Sequence, residues 1–279
     1  MTQGLSAVAY LVVAFALCWV GKLAYGLFHP RTRVDRELTA RDNVAFAVPL
    51  GAYYLGILIV MGAPLSGQAR PSLGQDLLAT AGWGLLAVTL LNLASVASRR
   101  VLFRGLDLAQ EVLDRRNLAV GTVAAGSHVA NALLILGALA DEGGLLPATV
   151  FWLYAQLLLA LATAAFLALV RYDVRAELRR GNQAVALTMA GVVVAMANVL
   201  RLAISGPFQG WTSGLVAATG YALAGLVLLF VARRLTDWLL LPGVTIRHEV
   251  LEQSVPNVGV GYLEALFYLG ASFVIGWSL

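Results

Sequence analysis

Apolar residues in this chain come in long unbroken runs, each close to the roughly 20 residues that a helix needs to cross a hydrocarbon core about 30 Å thick. Eight runs are present: Leu5 to Phe28, Asn43 to Ala63, Leu77 to Ala97, Asn117 to Ala140, Pro147 to Val170, Asn182 to Ser205, Thr212 to Val231 and Asn257 to Ser278. They are continuous and rich in Leu, Ala and Val, whereas a membrane β-barrel shows alternating segments of about ten residues. The pattern predicts an all-α integral membrane protein with eight transmembrane helices. The 28 glycines fit this reading, because small residues let membrane helices approach closely.

Composition agrees: 60% of the 279 residues are hydrophobic, 12% are charged and the mean hydropathy is +0.81. A pI near 9.5 could point to nucleic acid, but the positive charge is confined to alternate connections. The first holds Arg31, Arg33, Arg36 and Arg41, and the third Arg99, Arg100, Arg104, Arg115 and Arg116. The fifth holds Arg171, Arg175, Arg179 and Arg180, and the seventh Arg233, Arg234 and Arg247. Elsewhere Lys22, Arg70 and Arg201 are the remaining basic residues, and Asp76, Asp141 and Glu142 lie in the other connections. The positive-inside rule therefore predicts cytoplasmic odd-numbered loops and both termini outside. Met1 to Gly4 lacks the positive start of a cleaved signal, so the first helix is expected to be retained. Cys18 is the single cysteine, which excludes an intrachain disulfide.

The chain also resembles itself. Arg31 to Leu38 matches Arg171 to Leu178, Arg99-Arg100 matches Arg233-Arg234, and Glu111 to Leu113 matches Glu249 to Leu251. More weakly, a Glu followed by an Asn opens every second helix: Glu37 and Asn43, Glu111 and Asn117, Glu177 and Asn182, and Glu249 or Glu252 and Asn257. A unit of two helices keeps its orientation when repeated, so the expected architecture is two parallel pseudo-symmetric four-helix repeats, residues 1–146 and 147–279. This layout resembles the YjfL-like family of inner-membrane proteins, classed as domain of unknown function three-fifty. The resemblance implies a bacterial inner-membrane location and brings no catalytic residues with it.

The four asparagines are expected to cap helices, with a polar ring at the cytoplasmic mouth as the functional alternative. The glutamates are expected to pair with loop arginines, or else to form an acidic vestibule. Candidate intramembrane polar groups are Lys22, Asn92, His128, Asn131, Asn198, Arg201 and Glu264. His128 and Asn131 are spaced to share a helix face, as are Asn198 and Arg201, which could also snorkel outward. Lys22 and Glu264 lie at similar depths and depart from the internal symmetry, their counterparts being Ala162 and a position near Ala125. A Lys22–Glu264 ion pair with Asn92 as third member is predicted. His29 and His248 lie in loops without zinc-ligand spacing.

No metalloprotease, hydrolase or phosphate-loop motif occurs, so an enzyme is not expected, and neither is a cofactor or a nucleic-acid partner. Two functions stay open: a channel-like or transporter-like protein for a small ion or polar solute, and a scaffold or regulatory subunit recruiting a cytoplasmic protein through Arg-rich loops. The partners expected are anionic lipid headgroups at the cytoplasmic face, a cytoplasmic protein and further copies of the chain. Cysteine labels at Gly67, Gly144 and Gln209 should react from outside, and those at Arg104 or Arg175 only once the inner face is opened. External labelling at Arg104 would overturn this topology.

Overall fold

In hydrocarbon each backbone N–H and C=O must find its partner within its own segment, and the apolar runs accordingly close into helices. The computed structural model describes residues 2–67, 70–140, 144–206, 208, 210–240 and 243–278. Met1, Asp141, Glu142, Gly143 and Gln209 lie outside them. The helices are α1 (Thr2–Phe28), α2 (Val44–Val60), α3 (Gly62–Ser66), α4 (Leu73–Leu102), α5 (Leu118–Leu139), α6 (Leu145–Leu169), α7 (Val174–Arg179), α8 (Gln183–Ile204), α9 (Trp211–Leu240) and α10 (Val258–Ser278). Among the described residues, eight spans are long and apolar enough to cross a membrane, with α2 and α3 forming one of them.

Two spans are longer than expected. Helix α4 runs to Leu102 and α9 to Leu240, so Arg99, Arg100, Arg233 and Arg234 are helical rather than in loops. A charge marks where hydrocarbon becomes costly, but it does not break the helical hydrogen-bond ladder.

Helices α2, α5, α8 and α10 stand side by side in that order. Helices α1, α4, α6 and α9 form a second layer against them, α1 packing on α4 and α2, and α9 on α6, α8 and α10. The outermost, α1, turns Leu11, Phe15, Trp19 and Leu27 outward, as a lipid-facing surface requires. The close row is made possible by small residues. A Cβ on Gly121 of α5 would collide with the backbone carbonyl of Ala45 in α2, one on Gly126 would come within 2.7 Å of Ala190 in α8, and one on Gly261 of α10 would come within 2.6 Å of the Ala184 carbonyl. Contacts climb in register from the N-terminal ends, so these four helices run in the same direction.

Short wide turns precede the row: π-helical turns at Arg36–Ala40, Gln110–Asp114 and His248–Glu252, and α7 before α8. Asp42 (φ 46°), Arg116 (φ 50°) and Gly181 (φ 79°) adopt left-handed backbone just before Asn43, Asn117 and Asn182. That conformation reverses the chain into the cap and is the reason a glycine suits position 181.

Gly121→Leu should destabilise the protein by at least the ~1–3 kcal/mol of an overpacked core, because the obstacle is backbone. Denaturant unfolding in detergent measures this. An unchanged midpoint would show that α2 and α5 are not in such close contact.

Candidate functional site

The four Glu–Asn pairs fold into one recurring arrangement. Each asparagine N–H binds the backbone carbonyl of its own glutamate at 3.0, 2.8, 3.0 and 2.8 Å for Asn43, Asn117, Asn182 and Asn257. Each Nδ2 also donates to the glutamate Oε2, at 2.9, 3.0, 3.0 and 2.8 Å. Each Oδ1 caps its helix by accepting a backbone N–H of the first turn, from Phe46, Val120, Val185 and Val260. The second amide hydrogen crosses to the neighbouring segment: Asn43 to the Val112 carbonyl (2.9 Å), Asn117 to Leu178 (2.8 Å) and Asn182 to Val250 (2.8 Å). The acceptor in each case is the residue after the next glutamate.

All four asparagines cap their helices and the polar ring is not formed, since the amides of Asn43, Asn117 and Asn182 are taken up by their own glutamates and the next segment and that of Asn257 is held by Glu249. Arg41, Arg115 and Arg180 pair with Glu37, Glu111 and Glu177 at 2.9, 2.9 and 2.8 Å, which is the expected ion pairing and not an acidic vestibule. Burial pushes the Glu37 carboxyl up, but the Asn43 amide and Arg41 outweigh it and hold it below the usual carboxylate range. Of the two alternatives in the fourth pair, Glu249 meets Asn257, while Glu252 pairs at the surface with Arg247 and His248.

The predicted Lys22–Glu264 pair does not form. Lys22 is 41% exposed at its side chain and pairs with Asp35 at 2.8 Å. Glu264, fully buried, instead faces Arg233 (3.5 Å), Thr188 (2.7 Å) and Tyr268 (2.7 Å), with Tyr172 against the arginine. Similar depth does not fix which way a residue points around its helix, and assigning Arg233 to a loop hid the real counter-ion. Asn92 is no third member either: it donates to the Tyr53 hydroxyl and the Val88 carbonyl, and Tyr53 donates to the Gly21 carbonyl.

His128 and Asn131 also part company. Asn131 exchanges hydrogen bonds with Ser98 of α4 and accepts from Gln156 of α6. His128 turns towards the Tyr53 and Tyr25 rings, 5.5 and 6.4 Å between centroids. Asn198 and Arg201 do meet, Nε to Oδ1 at 3.1 Å, and Asn198 reaches Ser272 of α10 at 3.1 Å. The seven polar candidates therefore serve several separate clusters.

The structure adds a cluster that spacing did not reveal. A cavity of about 140 Å³ opens between the Arg-rich ends of α1, α2, α4 and α5. Its polar lining includes Arg31, Arg99, His29, His128, Ser95 and Ser127, and no acidic residue lines it among the described residues. His29 stacks on Tyr25 at 4.0 Å and touches the Arg99 guanidinium. Burial and then Arg99 push the His29 imidazole down to about 4, so it is neutral at pH 7. Arg99 Nε and His128 Nδ1 are buried without a hydrogen-bond partner among the described residues. The four-residue spacing of Tyr25 and His29, one helical turn, was the available signal. A second cavity, about 300 Å³, lies beyond Ser127 and is lined by Ser98, Arg100 and Gln156.

Eight apolar spans with polar groups held between parallel helices define a polytopic helical membrane protein. The family model described as Domain of Unknown Function (DUF350) matches residues 1–139 and 142–279, and the chain belongs to that family. It is similar to a "UPF0719 transmembrane protein" of Aquifex aeolicus (strain VF5), 24% identical over 268 residues that cover 93% of this chain and 96% of the relative. No solved structure matches it.

Removing one charge of a buried pair leaves the other uncompensated, at about 3–5 kcal/mol, whereas replacing both is often neutral. Glu264→Ala should therefore destabilise the protein more than the double change Arg233→Met, Glu264→Leu. Unfolding in detergent compares them, and equal losses would show that the two residues act separately.

Proposed function

We propose that the protein is a bacterial inner-membrane, transporter-like protein that binds a small anionic solute in the Arg99 cavity. In this reading residues 1–146 and 147–279 are two related four-helix units. The Arg-rich side faces the cytoplasm and both termini face outward, and no catalysis or cofactor is involved.

One comparison carries the reading. Arg99 corresponds to Arg233 in the matched pairs of arginines, and Glu264 stands seven residues after Asn257 just as Ala124 stands seven after Asn117. Arg233 has its carboxylate in the chain. Arg99 has Ala124 in that place, and Ala124 lines the cavity. A half-buried guanidinium stabilises a carboxylate or phosphate oxygen by charge-assisted hydrogen bonds, and a polar group left unmatched there costs energy. A neighbouring cavity shares Ser127 with it and adds Ser98, Arg100 and Gln156 to the polar groups nearby. The scaffold reading is less supported, because several loop arginines are engaged within the chain: Arg175 on the Val101 carbonyl, Arg179 on the Gly105 carbonyl, and Arg31 on Asp107.

Purified protein should be stabilised against heat by orthophosphate or short carboxylates well beyond the effect of chloride at equal ionic strength. Saturation to about 100 times Kd corresponds to about 2.7 kcal/mol. Ala124→Glu should reproduce the Glu264 arrangement and abolish the response without loss of stability, and Arg99→Gln should abolish it as well. An anion beside His29 favours the imidazolium, so binding should take up a proton and strengthen as the pH falls from neutrality towards about 4. If phosphatidylglycerol stabilises the protein and soluble anions do not, the ligand is a lipid headgroup and the solute reading fails. A response equal in Ala124→Glu would place the anion elsewhere.

A further inference from the structure

Among the described residues the row α2, α5, α8, α10 is open at both ends, and the two ends carry complementary halves of the contact repeated within it. Asn43, Asn117 and Asn182 each direct their second amide hydrogen to the next segment, whereas Asn257, on the last helix of the row, meets no further segment among the described residues. Among the described residues its Nδ2 is bound to Glu249 alone. The matching acceptor position, the residue after the glutamate, is buried at Val112, Leu178 and Val250, with 6%, 1% and 1% exposure. At the start of the row that position is Leu38, which is 38% exposed.

The small residues tell the same story along the membrane. Two positions after the asparagine, Ala45, Ala119 and Ala184 are buried, and Gly259 is exposed. Thirteen after it, Gly56, Ala130 and Ala195 are buried, and Gly270 is exposed with nothing within 4 Å of an added Cβ. On the receiving side, eight after the asparagine, Ala190 and Ala265 take the close approach of Gly126 and Gly191. The first helix has Gly51 there, also exposed and with nothing within 4 Å. A membrane helix pair gains stability from close packing of small residues and from hydrogen bonds that lipid cannot supply.

We infer that a second copy of this chain continues the row, with Asn257 of one copy donating to the Leu38 carbonyl of the next and α10 seated on the neighbour's α2. The contact is head-to-tail, all copies standing in the same orientation across the membrane. Such a heterologous contact closes into a ring when its rotation permits and otherwise grows as a linear array.

Register within the row pairs the second position of one helix with the fourth of the next, as Ala184 meets Gly261. Across copies this pairs Gly259 with Ala47. In native-like membranes and a Cys18→Ser background, Ala47→Cys combined with Gly259→Cys should oxidise to a ladder of disulfide-linked species. The two single variants should cross-link only when co-expressed, and then only to dimers. Gly51→Leu and Gly270→Leu, at positions where an added Cβ meets nothing within 4 Å among the described residues, should each reduce the ladder at least tenfold while leaving the unfolding midpoint unchanged. A protein that remains monomeric without cross-links would overturn the inference. So would self-linked single variants, which would mark a two-fold contact, or a ladder indifferent to Gly51→Leu and Gly270→Leu.

Discussion

Four membrane helices begin where an asparagine, buried in three of them, satisfies several backbone and side-chain groups at once. A helix N-terminus leaves its first N–H groups without partners, and at the edge of a membrane bundle water is scarce. Asn43, Asn117 and Asn182 cap those groups, hold the glutamate of the preceding turn and reach across to the next segment. Hydrogen bonds to a charged carboxylate are worth about 1.5–3 kcal/mol each. The spacing of the helices, the wide turns that precede them and the register of the glycine contacts all follow from placing those amides between two segments.

The same economy explains how two similar arginines come to have different surroundings. Arg233 and Arg99 each stand near the Arg-rich end of a long second-layer helix. Beside Arg233, seven residues after Asn257, the chain supplies a carboxylate at Glu264, with Thr188 and Tyr268 satisfying its oxygens. Seven residues after Asn117 the side chain stops at the Cβ of Ala124, and aromatic and imidazole rings stand around Arg99. One guanidinium is held in a structural ion pair, and the other lines a cavity.

Much of this was legible in the sequence, and the part that was not has a definite cause. Span number follows from apolar run length, and the capping asparagines from their recurrence after glutamates. The cross-segment bonds to Val112, Leu178 and Val250 were not legible, because they depend on which helices become neighbours. Depth counted along α1 and α10 suggested Lys22 and Glu264 as partners, yet azimuth decides pairing, and Lys22 turned to Asp35. Arg99 and Arg233 were hidden by the assumption that charge ends a helix. His29 was set aside for lack of metal-ligand spacing, although its stacking on Tyr25 needed only one helical turn.

The seam between neighbouring segments has a direction. Its donor always comes from the earlier segment and its acceptor from the later one, so no segment can satisfy itself by folding back on an identical partner. Any fragment cut at whole helix pairs therefore carries one donor edge and one acceptor edge, whatever its length. Chain length and the geometry of lateral association are separate variables in such a design, and lengthening or halving the polypeptide leaves the chemistry of its two edges unchanged.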